Sequence, residues 1–437
     1  MTFDGCGLKM NKNIIILSFI VASRFFGLFI VLPVISLYAK KLSGANDVLI
    51  GLIVGFYAIF QMIFSIPFGA ISDKIGRKKT MLFGLLIFII GCFFCANASD
   101  IYTMLFGRIL QGSGSIGGVA SAMIADFVKE EERGKAMSVM GGMIGMSFAL
   151  AVVAGPILAS FFGLSSLFYF SAFLSFMCIC FIFILPQEKI IKNYKKHSKK
   201  DVFYVKDLNI MYFTNMFQKM IISSSFMIIP IKYIDTFLQS DKNIWMIYSF
   251  CMFFGFLAMG IGGVFGEKKG FSKLILIVGV ILFFTENVLF LIDNFYVFLF
   301  GVFVFFVAFC LHEPVMQSTV SKFCKVEQKG FALGVFNSFG YFGSFFGAFC
   351  TGWFLHNWSM FWFYIILCVL CLIWLFFLVS LTNPNSFKNL YLDFKVDISN
   401  ICNKNGIIEC YESDEKTIIK YNSKFILENE ILQCIKG

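Results

Sequence analysis

Residues 69–79 read Gly69-Ala70-Ile71-Ser72-Asp73-Lys74-Ile75-Gly76-Arg77-Lys78-Lys79, a short polar knot of two glycines, one carboxylate and four cations. The glycines permit a tight turn and a close helix approach. Asp73 can accept hydrogen bonds from a helix N-terminus, and the basic group can pair with a carboxylate on a neighbouring helix. The apolar runs on either side, 47–71 and 80–98, are long enough to cross a ~30 Å hydrocarbon layer. The knot is therefore a loop between two membrane spans.

Working outward, further spans are expected at 14–38, 101–128, 135–160, 165–185, 206–232, 243–266, 272–292, 295–320, 330–356 and 358–381. The 437 residues are 59% hydrophobic and 14% charged, with a mean hydropathy of +0.83. A water-soluble core cannot bury that much apolar surface. Lipid lets each segment satisfy its backbone only within itself, and no strand-like alternation argues for a barrel, so the spans read as helices. The first span lacks the short apolar core and cleavage site of a signal peptide and is expected to stay in place. Most of the 14 cysteines lie inside apolar runs, including Cys92/Cys95 and Cys368/Cys371. They read as small core hydrophobes, and no metal site or cofactor is expected.

The net charge of +10 is spread between spans instead of forming a nucleic-acid patch. Loops on the side of the Asp73 knot, with the N-terminal tail, hold 22 Lys and Arg; the opposite side holds Lys40, Lys41, Lys232 and Lys242. That bias predicts both termini in the cytoplasm of a multi-pass protein, whose expected location is the inner (plasma) membrane. The polar stretch 186–205 divides a first six-helix bundle (1–185) from a second (206–383), and a polar tail (384–437) follows. The bundles echo one another: Gly69, Asp73 and Gly76 recur as Gly263, Glu267 and Gly270 at an offset of 194, and Arg133-Gly134 as Lys329-Gly330. Such duplication suits alternating access by two similar bundles rocking about a central site.

The 69–79 knot, together with Arg24, Gly27 and Val31-Leu32-Pro33 in the first span and the stretch 107–116 (Gly-Arg-Ile-Leu-Gln-Gly-Ser-Gly-Ser-Ile) in the fourth, resembles the major facilitator superfamily, and within it the drug-efflux type. The resemblance implies an all-α membrane fold of twelve helices in a 6+6 pseudo-twofold arrangement, and a transporter, not an enzyme. By the same resemblance, Gly69, Asp73, Gly76, Arg77 and Asp126 form a latch. Asp73 would face the start of the eleventh helix near Gly330, and Arg77 would pair with Asp126. Arg108 would be linked to proton coupling; a guanidinium keeps its proton, so it would act by lowering the proton affinity of a nearby carboxylate. Gly155-Pro156 resembles the antiporter signature of exporters, with Ala159 and Ser160 where that pattern prefers glycines.

Charges inside spans are costly and by default mark function or packing. The cations are Arg24, Arg108 and Lys219; the acids are Glu286, Glu313 and, at a span end, Asp126. A carboxylate in a low dielectric has a raised proton affinity, as a reversible proton carrier requires. Glu313 follows His312 and precedes Pro314, where a broken helix could face a cavity, and Lys219 is its expected partner. The alternative is an ion pair that only ties two helices. For Glu286, snorkelling to water is as good a reading as function. Arg24, Lys219 and His312 are cavity candidates. Some of the 61 phenylalanines could form an aromatic pocket, while most face lipid.

The tail reads as a strand at 391–398, a hairpin at 407–411 and 417–421, and a helix at 425–435, resembling the small α+β ferredoxin-like module that follows the last helix in a bacterial branch of the family. The combined expectation is a monomeric, proton-coupled antiporter for efflux of small lipophilic compounds or drugs, with protons, membrane lipid and a small-molecule substrate as its partners. The alternatives are a proton-coupled nutrient uptake symporter, or a membrane sensor or scaffold that uses the tail module.

Overall fold

A computed structural model of the chain describes residues 12–128, 130–186, 202–268, 270–325, 328–392, 404, 406–413 and 416–436. The membrane part is built from α1 (Lys12–Phe29), α2 (Ile35–Ala39), α3 (Asp47–Ile75), α4 (Arg77–Ala96), α5 (Ile101–Ser113), α6 (Gly117–Phe127), α7 (Glu130–Phe162), α8 (Leu164–Ile184), α9 (Lys206–Ile231), α10 (Ile244–Gly263), α11 (Ser272–Phe290), α12 (Phe295–Phe323), α13 (Lys329–Asn357) and α14 (Met360–Val379). These make twelve passes, because α1–α2 and α5–α6 each form one broken pass. Among the described residues, nine helices are both long and apolar enough to cross a membrane unaided; α9, α13 and the split α5–α6 pass are not among them.

Both breaks correct the expectation of unbroken helices at 14–38 and 101–128. In the first, Pro33 lacks a donor and disfavours helix at the residue before it. Leu32 and Val34 therefore bond three residues back, to Phe29 O at 3.1 Å and Val31 O at 3.2 Å. The Ile30 carbonyl is displaced from its helical role and lies against Gly155 of α7, where any Cβ would overlap it. Proline beside glycine thus joins two helices at backbone contact. The second break falls at 114–116.

Helices α1–α8 pack among themselves, as do α9–α14; α3 against α13 and α7 against α10 are the main contacts across the middle. The pseudo-twofold shows in the backbone: Gly76 and Gly270, the echoed pair, both hold positive φ, +100° and +84°, where other L-residues are strained. The side chains of Arg133 and Glu267, and residues 187–201 of the expected linker, lie outside the described residues.

The tail forms a three-stranded antiparallel sheet, β1 (Phe387–Leu392), β2 (Ile407–Ser413) and β3 (Lys416–Asn422), in the order β1-β3-β2, followed by helix α15 (Glu428–Lys436). Its small core holds Leu390, Leu392, Ile419, Tyr421, Ile426 and Ile431. The strand begins before the expected 391 because Phe387 docks edge-on against Phe323 of α12, with ring centroids 5.1 Å apart. Residues 393–403 lie outside the described part. The helix starts at 428 rather than 425, since Phe425 and Ile426 still donate backwards to the Asn422 carbonyl. The module fits a ferredoxin-like unit.

Candidate functional site

Helices α3 and α13 run antiparallel along the boundary between the bundles and behave differently at their two ends. Near the Lys40 side they touch backbone to backbone: a Cβ on Gly51 would lie 2.5 Å from the Ala348 carbonyl, and one on Gly55 3.0 Å from that of Phe345. Midway, Gln61 Nε2 donates to the Tyr341 hydroxyl at 2.8 Å. Toward the Asp73 side nothing lies within 4 Å of a Cβ built on Gly69, Gly330 or Gly334. Along α3–α13 the bundles are zipped at one end and parted at the other, while α7 and α12 still meet toward the parted end, where Gly141 faces Gln317 Oε1.

The closed face carries two cross-bundle ion pairs, Lys40 with Asp235 and Lys41 with Asp241. Their side chains are about a third to two thirds exposed, so each contributes ~0–1 kcal/mol. Close packing does most of the sealing. Just inside lies an aromatic plug in which Phe148 of α7 meets Phe29 of α1 at 4.6 Å, Phe309 of α12 at 4.7 Å and Phe226 of α9 at 6.0 Å.

One helical turn further along α12, on the open side of this plug, Lys219 Nζ donates to Glu313 Oε2 at 3.1 Å and Oε1 at 3.4 Å. The ammonium also lies 5.7 Å from the Phe309 ring centroid. Both side chains keep part of their surface, 27% and 21%. Glu313 faces Gly145 of the first bundle, 4.0 Å from its Cβ position. The pair thus sits at mid-helix, at the bundle boundary and partly open to one side.

The other residues singled out from sequence fall elsewhere. His312, the neighbour of Glu313, is not in this opening. The next position on a helix points about 100° away, and its Nε2 lies 2.8 Å from the Leu276 carbonyl, buried against Phe283 and Trp374. Glu286 is fully buried, which rules out snorkelling; Ser225 Oγ donates to its Oε1 at 2.5 Å and its Oε2 has no partner. Arg24 and Arg108 are also fully buried. Arg108 donates to the Ile53 carbonyl at 3.0 Å and to Gln111 Oε1 at 2.7 Å, over the Tyr57 ring. Among the described residues no carboxylate lies within ion-pair distance of it, so the expected acid partner is not met. Arg24 reaches Gln61 Oε1 at 3.4 Å and the Gln111 carbonyl at 3.2 Å, between the rings of Phe25 and Phe88.

In the 69–79 knot, Arg77 joins Asp126 of α6 at 3.3 Å, Ser72 Oγ at 2.5 Å and Asp73. Asp73 is 64% exposed and does not face Gly330 here, because the helices have parted at this end. Gly155 takes the Ile30 carbonyl, while Pro156 lines a cavity of about 250 Å³ on the closed face with Tyr38, Asp241 and Lys242. The sequence reading missed the Lys40/Asp235 and Lys41/Asp241 pairs and the Gln61–Tyr341 bond. Lys40 and Lys41 were visible as the minority cations of their side; Gln61 and Tyr341 carried no signal.

The family model described as Major Facilitator Superfamily matches residues 17–206 and 208–390. The inner membrane transport protein YajR of Escherichia coli K12 is 30% identical over 431 residues, 94% of each chain. The quinolone resistance protein NorA of Staphylococcus aureus is 26% identical over 363 residues, 78% of this chain and 90% of the relative. Among solved structures, a D-xylose-proton symporter superposes with a TM-score of 0.69 at 16% identity, covering 85% of this chain and 98% of the other, which bears on fold alone. Two bundles of six passes related by a repeat, the knot after the second pass and a match along nearly the whole membrane part place this chain in the Major Facilitator Superfamily, as a multi-pass inner-membrane transporter.

Proposed function

We propose that this transporter exports small lipophilic compounds in exchange for protons by alternating access, and that its open side is the cytoplasmic one. The observation that carries the reading is the partly exposed Lys219–Glu313 pair between bundles that are zipped at one end of the α3–α13 seam and parted at the other. Orientation follows the positive-inside bias, which puts Asp73, Arg77 and both termini in the cytoplasm. In the open-inward form Glu313 gives its proton to the cytoplasm and holds Lys219. After the bundles rock, Glu313 takes a proton from outside and releases Lys219, and that change in bonding biases the return. Arg77–Asp126 holds the knot in shape, and Asp73 meets the start of α13 when the cytoplasmic side closes. Glu286, sealed within the second bundle, is a second proton-binding candidate, and Arg108 tunes the first bundle without carrying a proton. The aromatic plug and the likeness to a protein named for quinolone resistance both favour lipophilic cargo.

The test is flux of a panel of lipophilic drugs in proteoliposomes under an imposed pH gradient. Wild type should move at least one of them with the gradient. Glu313→Gln should bring gradient-driven flux to background while exchange without a gradient persists. Full gradient-driven flux in Glu313→Gln would remove Glu313 from the coupling.

A further inference from the structure

Inside the described spans three cations, Arg24, Arg108 and Lys219, face two acids, Glu286 and Glu313. Glu313 neutralises Lys219. Glu286 is bonded to Ser225 and has no cation within ion-pair distance among the described residues. The two arginines therefore stand uncompensated, each with one buried guanidinium nitrogen lacking a partner, Arg24 Nε and Arg108 Nη2. An unpaired buried charge is strongly destabilising, so an interior that keeps two such cations favours a negative guest.

The Arg24 side chain also points that charge toward the opening. Arg24 donates to Gln61 Oε1, and Gln61 Nε2 donates to the Tyr341 oxygen at 2.8 Å. Since the phenol oxygen accepts, its own hydrogen is left to donate, and among the described residues no acceptor meets it. Every link gives its proton outward, and serial hydrogen bonds polarise one another, so the last O–H is a strengthened donor. Tyr341 is only partly buried and stands where α3 and α13 part. Beside it Phe56, Phe60 and Phe64 run along α3 in successive ring contacts of 5.7 and 6.4 Å, with Phe345 of α13 at 6.0 Å from Phe56.

We propose that the Tyr341 hydroxyl, at the head of the Arg24–Gln61–Tyr341 chain, is a subsite for an anionic oxygen of the substrate, and that the preferred cargo is a small aromatic anion such as a carboxylate. The inference rests on the reading of the gap between bundles as the substrate path.

Three probes of one shape separate the charges: 2-naphthoate, 2-naphthamide and 2-naphthylmethylammonium. Each is measured by thermal stabilisation of the purified full-length protein and by counterflow in proteoliposomes with no pH gradient. Naphthoate should bind and exchange, with the other two weaker by about tenfold, the scale of one hydrogen bond to a charged group. Tyr341→Phe should weaken naphthoate by about tenfold. Gln61→Glu, which neutralises Arg24 from within, should abolish the preference for the anion and settles the matter if Tyr341→Phe does not purify as a single species. The proposal is overturned if naphthoate fails to bind, if the amide or ammonium probe binds as well as naphthoate, or if a well-folded Tyr341→Phe keeps full naphthoate affinity. Because no gradient is used, naphthoate exchange without proton-driven flux would defeat the coupling and keep the subsite; proton-driven flux of the ammonium probe without naphthoate binding would do the reverse.

Discussion

The two ends of the α3–α13 boundary are made of the same kinds of residue and do opposite things. At one end Gly51 and Gly55 bring backbones into contact; at the other Gly69, Gly330 and Gly334 face empty space. Small residues at both ends would let each close as tightly as the other under the proposed alternating access, whereas a bulky end would stay open or jam. What breaks the tie is additional chemistry: two solvated ion pairs and an aromatic plug on the closed side, a self-satisfied Arg77 knot on the open side. On the proposed alternating access the boundary would work as a reversible zipper, with Gln61–Tyr341 at its fork.

The comparison can be broken most severely by Gly51→Leu. Its side chain cannot fit against the Ala348 carbonyl, and overpacking costs ~1–3 kcal/mol, up to about a hundredfold in the population of the closed face. Spin labels at Asn46 and Trp353 should move apart in this variant and transport should fall; an unchanged label distance would show that the contact does not hold the face. Next comes the knot. Arg77→Ala leaves the largely buried Asp126 without its cation and should reduce flux several-fold, more than Asp73→Asn, whose carboxylate is mostly in water; equal and full activity in both would dispose of the latch. Lys40→Ala should do less, since an exposed pair supplies at most ~1 kcal/mol, a factor of about five. Its effect should vanish at high salt, and a salt-insensitive loss would point to packing.

The smallest effect concerns the tail. Lys420 of β3 is buried and donates to the Cys324 carbonyl at the end of α12. Burial, with Lys329 nearby, lowers it from the ordinary 10.5 to about 8, against a raising influence from Glu409. The folded, docked module therefore holds its Lys420 proton less tightly than the unfolded one. Docking should strengthen as pH rises through about 8 toward 10.5 and stay at its weaker level below that window. Proteolysis of residues 384–437 across this range reads it out, and Lys420→Met should flatten the profile.

Much of the architecture could be read directly, because passes through lipid announce themselves by apolar length and the knot at 69–79 by its glycines and charges. The contact of Lys219 with Glu313 was legible for a related reason: charges in spans are rare, so a cation and an acid there invite pairing. Other features were hidden. The break at 30–34 sits within an unbroken apolar run, and only Pro33 hints at it. His312 shares a sequence neighbourhood with Glu313 but not a helix face. Gln61 and Tyr341 are neutral, 280 residues apart, and ordinary in composition; only three-dimensional placement gives them a direction. Arg108 without an acid partner could not be foreseen, since sequence shows that a charge exists and not what compensates it.

The passes α9 and α13, which supply Lys219 and Tyr341, are long but not apolar enough to cross a membrane unaided. During synthesis these two should lean on packing partners more than the apolar passes do: α13 on α9 and α3, and α9 mainly on α13 and α12. The same polarity should make the chain's biogenesis more cooperative. Substitutions far from the opening that weaken those partners would surface as failed membrane assembly, with no change in the chemistry of a correctly inserted molecule.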